Sequence, residues 1–164
     1  MSFQITWTIA PEQWENARAV WQENGPGSDY DLSYLPDYDL LNGYVQISAG
    51  GQDFFPGEGF YISGIDLAHG LIRVLGEGQF AQAPDGHAAV FNQADDALEI
   101  TFTKQAGQVA LGSNLEVARP LTVPLDDFLA GMAASLRAFA GQVQAHAPEL
   151  LQWESFANLR PYAG

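Results

Sequence analysis

The sequence predicts an α+β fold: a single domain in which an antiparallel β-sheet has helices packed on one face, spanning residues 1–164. Three observations predict it. Apolar residues alternate at period two near the N-terminus and again in the middle of the chain. An apolar stripe at helical spacing runs through residues 125–143. Turn formers separate the segments in the order strand, helix, strands, helix, strands, two helices, which groups the helices instead of alternating them singly with parallel strands. At this length a chain buries about 70% of the surface it exposes when unfolded, so the core needs neither disulfide nor metal.

Phe3, Ile5, Trp7 and Ile9 alternate with Gln4, Thr6 and Thr8, the pattern of a strand with one face buried. Pro11 then suits the first turn of a helix, and Trp14, Ala17, Arg18 and Trp21 follow at spacings of three and four until Asn24-Gly25 stops it. Its two Trp are expected in the core. Residues 25–43 hold turn formers without a sustained period and read as an ordered, partly exposed loop. Tyr44 to Ala49 and Gln52 to Phe55 read as a hairpin about Gly50-Gly51, ended by Pro56. Glycines 57, 59 and 64 resemble a phosphate cradle, but no Lys follows and Glu58 and Asp66 would repel an anion, so a turn is expected. Ser63 with Asp66 opens a helix, Ile65, Ala68, Ile72 and Leu75 give its apolar face, and Gly76 stops it.

From Gln79 to Val123 the pattern is read as strands: Ala88 to Phe91, then Leu98, Ile100 and Phe102 alternating with Glu99, Thr101 and Thr103, then Gln108 to Leu111. Val117, Arg119, Leu121 and Val123 share one parity, and Pro120 places that segment on a sheet edge, with Arg119 expected to pair with a carboxylate. Pro124 precedes the longest helix, striped by Leu125, Phe128, Leu129, Met132, Leu136, Phe139 and Val143, with Asp126 and Asp127 in the first turn. Pro148 restarts a shorter helix through Leu150, Leu151, Trp153 and Leu159.

Charge and composition narrow the function. The chain has 20 Asp+Glu against 6 Lys+Arg, a net charge of -14. One lysine, Lys104, and five dispersed arginines form no basic stripe, so neither nucleic acid nor an anionic membrane is an expected partner, whereas a basic protein is attracted. With 47% apolar residues, among them ten Phe, six Tyr and four Trp, the acidity sits on a folded surface. No cysteine is present, which removes thiolate metal sites and cysteine nucleophiles and fits a cytoplasmic setting. Neither a signal peptide nor a membrane span is read from the sequence.

The most distinctive feature is an echo at eight residues: Asp29-Tyr30-Asp31-Leu32 returns as Asp37-Tyr38-Asp39-Leu40, with Tyr34 between. Residues 1–64 carry a net -8, over half of the total. A calcium loop fails, because Tyr34 stands where Gly is needed and Leu40 where the bidentate Glu belongs. Averaged over the fold, a nucleic-acid mimic is too dilute and survives only if the acids of the first third share one face: at about 8,000 Å² for this mass there is one net charge per roughly 600 Å², against very roughly one per 100 Å² on duplex DNA. The bland alternative is a solvated turn pair with its rings packed inward and its carboxylates capping local amides.

Other chemistry is thinly supported. His69 has Asp66 three residues before it and Arg73 four after, which admits an Asp-oriented general base, although a surface charge ladder reads as well. His87 falls in a turn and His146 at a helix end; the three histidines make no metal spacing, no serine stands in a nucleophile elbow, and no cofactor is implied.

The expected role is a non-catalytic, acidic domain that binds a basic protein partner and occludes it, as an immunity or antitoxin-type protein would. Asp29, Asp31, Asp37 and Asp39 would steer the partner, and Tyr30, Tyr34 and Tyr38 would supply the buried contact. The alternatives are a small hydrolase or transferase using convergent carboxylates with His69, and an assembly subunit that forms a homodimer through the aromatic loop or the C-terminal helices.

Overall fold

A computed structural model of the chain describes residues 2–24, 40–93, 97–153 and 156–164. In chain order the elements are β1 (Phe3–Ile9), α1 (Pro11–Asn24), β2 (Asn42–Ala49), β3 (Gln52–Asp53), β4 (Phe60–Ser63), α2 (Gly64–Leu75), α3 (Gln79–Gln82), β5 (Ala88–Asn92), β6 (Glu99–Gln105), β7 (Gln108–Ser113), β8 (Leu121–Pro124) and α4 (Leu125–His146). Short 3-10 turns follow α2 and occupy Pro148–Gln152 and Arg160–Tyr162. The α+β class holds, with every strand pairing antiparallel.

The strands form two four-stranded sheets. In the first, β2 is central and both its edges are used: β1 runs along one over seven residue pairs, while β3 and β4 share the other in tandem. No room is left there for β5, which instead begins a second sheet, the meander β5-β6-β7-β8. Three segments depart from the pattern read above. The hairpin return stops at Asp53, because Phe54 and Phe55 are both buried and a strand cannot turn two successive side chains inward. Residues 79–82 are a turn of helix, and β4 occupies positions 60–63. The segment after Pro148 forms 3-10 turns, not a continuous helix.

One apolar core joins the layers. Phe128 of α4 lies 5.1 Å from Phe3 of the first sheet, 5.5 Å from Phe102 of the second and 5.5 Å from Phe80 of α3, ring centre to ring centre. Trp7 stacks on Phe139 at 4.9 Å. Trp14 and Trp21 are buried, as their helical spacing implies, and Trp21 meets Trp153 at 5.7 Å. The α2 boundaries are those the sequence signals: Ser63 Oγ accepts the Asp66 N–H at 3.3 Å, and Gly76 adopts φ 52° while its N–H donates to the Ile72 carbonyl.

Helix α4 lies along the outer edge of β1. The Ile5 N–H donates to Ser135 Oγ at 2.9 Å, Gln142 Nε2 donates to the Trp7 carbonyl at 3.2 Å, and Gly131 rests on the Phe3 carbonyl. These are the backbone groups that a further strand would have used, so the helix closes the edge.

Candidate protein-binding surface

The seven residues singled out in the sequence, Asp29, Tyr30, Asp31, Tyr34, Asp37, Tyr38 and Asp39, lie outside the described residues. The residues that follow them in the chain, Leu40 to Asn42, are described in full. Leu40 and Leu41 are buried, at 2% and 0% exposure. Ser63 Oγ donates to the Leu40 carbonyl at 2.9 Å, the Gly64 N–H donates to the Leu41 carbonyl at 2.8 Å, and the Asn42 N–H donates to Gln13 Oε1 at 3.2 Å. Leu41 is held at φ 59°, a left-handed conformation that a branched side chain adopts at a cost of order 1–3 kcal/mol. Burial and the Gly64 contact outweigh that cost. Gly64 is required, since a Cβ there would stand 2.8 Å from the Leu41 oxygen and 3.1 Å from Trp7.

From Asn42, β2 leads directly to an exposed aromatic pair. Val45, Ile47 and Ala49 point into the core, so Tyr44, Gln46 and Ser48 take the opposite face. Across the first sheet the outer rows are Thr8, Tyr44 and Tyr61; then Thr6 and Gln46; then Gln4, Ser48 and Asp53. Tyr44 and Tyr61 are direct cross-strand partners, 5.2 Å apart at 70°, and stay 39% and 52% exposed. Among the described residues of these rows only Asp53 is charged. Gln46 is committed to the fold: its Nε2 donates to the Phe55 and Gly57 carbonyls and its Oε1 accepts the Phe55 N–H. It fixes the loop between β3 and β4, and with it the position of Tyr61.

A charge-poor sheet face carrying two touching Tyr suits contact with another macromolecule. Tyr offers large, rigid area with few rotatable bonds, and charge-poor centres with aromatic anchors distinguish interface cores from ordinary surface. The Tyr faces also accept a guanidinium or ammonium group through cation–π attraction. Reading each residue alone missed this pair. Tyr44 was discoverable, because it falls on the polar parity of its strand where Thr or Gln is expected; Tyr61 was hidden by the Gly-rich sequence before it.

The remaining candidates are dispersed. His69 is half-buried on α2 with its ring edge-on to Phe156, 6.4 Å between centres. It lines neither of two shallow grooves, one of about 260 Å³ beside Trp14, Glu15, Arg18 and His146, the other of about 300 Å³ between α2 and β5. His146 is the last residue of α4 and stacks on Trp14 at 5.0 Å, and Arg18 pairs with Glu149 at the rim of the same region. His87 sits in its turn against Phe80. Among the described residues no three His, Asp or Glu side chains gather as a metal site, and no helix is long and apolar enough to cross a membrane. Arg119 is exposed and is tied through its N–H, which donates to the Phe54 carbonyl at 2.7 Å.

Compared with protein-family models, curated proteins and solved structures, the chain matches none. The fold and this surface therefore carry the functional argument.

Proposed function

We propose that the chain is a non-catalytic protein-binding domain that covers a basic partner, in the manner of an immunity or antitoxin protein. The observation that carries this reading is the exposed Tyr44–Tyr61 pair on a nearly uncharged sheet face, with Tyr44 five positions along the chain from Asp39 at the end of the acidic segment. The division of labour follows from magnitudes. Clustered carboxylates raise the rate of encounter with a cation but contribute little affinity once screened. Desolvated aromatic anchors supply the affinity. The acidic segment would steer and the Tyr pair would hold.

The test is affinity capture from native cells with the tagged chain and with its Tyr44→Ala/Tyr61→Ala variant. The expected result is a basic protein retained by the wild type, released by raised salt and lost from the variant. Retention of no basic protein, or equal retention by both forms, would overturn the reading.

A further inference from the structure

Sheet edges present unpaired N–H and C=O groups, and natural proteins close or shorten them. Among the described residues, β1 is closed by α4. The edge of β8 has four residues, is preceded by Pro120 and ends in Pro124, neither of which has an N–H. The tandem β3 and β4 offer two and four residues, interrupted by the turn between them.

Strand β5 has none of these devices. Its sequence is Ala-Ala-Val-Phe-Asn, without charge or proline. Pairing with β6 extends past both its ends, since the Lys104 N–H donates to the His87 carbonyl and the Gln93 N–H to that of Leu98. Antiparallel alternation then turns the N–H and C=O of Ala88, Val90 and Asn92 outward. The Val90 side chain is 47% exposed. Helix α2 packs on β5 through Gly70, which rests on the Phe91 ring, and a groove of about 300 Å³ runs between Arg73, Val74 and the strand.

We propose that this edge pairs with the same edge of a second copy, antiparallel about a two-fold axis at Val90, joining two meanders into one eight-stranded sheet. The register is self-complementary. Val90 faces its counterpart and Ala88 faces Asn92, so each outward N–H meets an outward C=O, and the exposed Val90 side chains cover one another. The uncharged strand suits pairing with itself, because the two-fold brings no like charges face to face across the ladder. Repulsion between two copies of net charge -14 acts from a distance and is screened beyond about 10 Å at 0.1 M salt. A ladder this short falls below the roughly 1,200 Å² of a standard interface, so the association is reversible and concentration-dependent.

Sedimentation equilibrium of the purified chain tests this. At high protein concentration the average mass should rise from 17.8 kDa toward twice that value, and should rise further when salt is increased. Capture of a basic partner responds to salt in the opposite direction, so the two surfaces fail independently. Val90→Pro removes an outward N–H without touching the β5–β6 ladder and should remain at 17.8 kDa throughout. Should that variant not fold, Val90→Lys, which sets two ammonium groups face to face, is expected to behave the same way. A wild type that stays monomeric in high salt, leaving the edge to some other chain, would overturn the proposal; so would a folded variant that dimerises like the wild type.

Discussion

Ile5 and Ser135 lie 130 residues apart in sequence, yet the Ile5 N–H donates to Ser135 Oγ at 2.9 Å while the same hydroxyl donates to the Gly131 carbonyl at 2.6 Å. Ser135 is 4% exposed, so the Ile5 amide has no water to turn to if the hydroxyl is removed. Ser135→Ala should therefore cost about 1–3 kcal/mol, the penalty for stranding a buried donor. Thermal unfolding checks it, at about 2–4 °C per kcal/mol for a chain of this size. An unchanged midpoint would mean that the hydroxyl contributes nothing to closing the edge.

The same helix predicts opposite signs for one substitution at two places. Gly→Ala in an exposed helix interior normally stabilises by up to about 1 kcal/mol through propensity. Gly141 has open space where a Cβ would go, and Gly141→Ala should follow that rule. At Gly131 a Cβ would stand 2.1 Å from the Phe3 carbonyl oxygen, so the helix must move off β1. Gly131→Ala should lower the midpoint while Gly141→Ala raises it, which differential scanning calorimetry on the two variants decides.

Lys104 follows Ile100 and Phe102 on the inward face of β6, where the alternation calls for an apolar residue. It is 8% exposed, and its Nζ donates to the carbonyls of Ala81 and Ala83 at 2.6 Å each, satisfying the end of α3. As the chain's sole lysine it is a clean reporter. In the folded protein it should resist amine acylation and become reactive only in denaturant, as mass spectrometry would read. Lys104→Met keeps the buried stem but leaves both carbonyls without their donor, and should cost about 1–3 kcal/mol in denaturant unfolding.

These sites mark what the sequence reveals and what it conceals. The β1 alternation, the Ser63 and Gly76 boundaries of α2 and the stripe of α4 are local signals, each written within a few turns of chain, and the structure realises all of them. The split into two sheets is not local: it depends on β3 and β4 filling the second edge of β2, which no period encodes. Helix α3 has a single buried side chain, Phe80, too short a segment to show periodicity. The same limit applies to the surface. Tyr44 and Tyr61 are 17 positions apart, and only the β2–β4 register makes them neighbours. The acidic echo at Asp29–Asp39 was legible because it is contiguous in the chain.

The final prediction separates the two halves of the proposed interface. Against a basic partner recovered by capture, changing Asp29, Asp31, Asp37 and Asp39 together to Asn should slow association and flatten its salt dependence, since these residues make up half of the net -8 of residues 1–64. Dissociation should change little. Replacing Tyr44 and Tyr61 with Ala should do the reverse: the lost contact appears in the dissociation rate, because mutations within one interface act chiefly there. The two rings touch each other and remain 39% and 52% exposed, so the midpoint of unfolding should move far less than for Ser135→Ala. Surface plasmon resonance at two salt concentrations reads both rates. Equal effects of the Asp and Tyr changes on association would show that steering and holding are not divided between them, and the two-part account would fail.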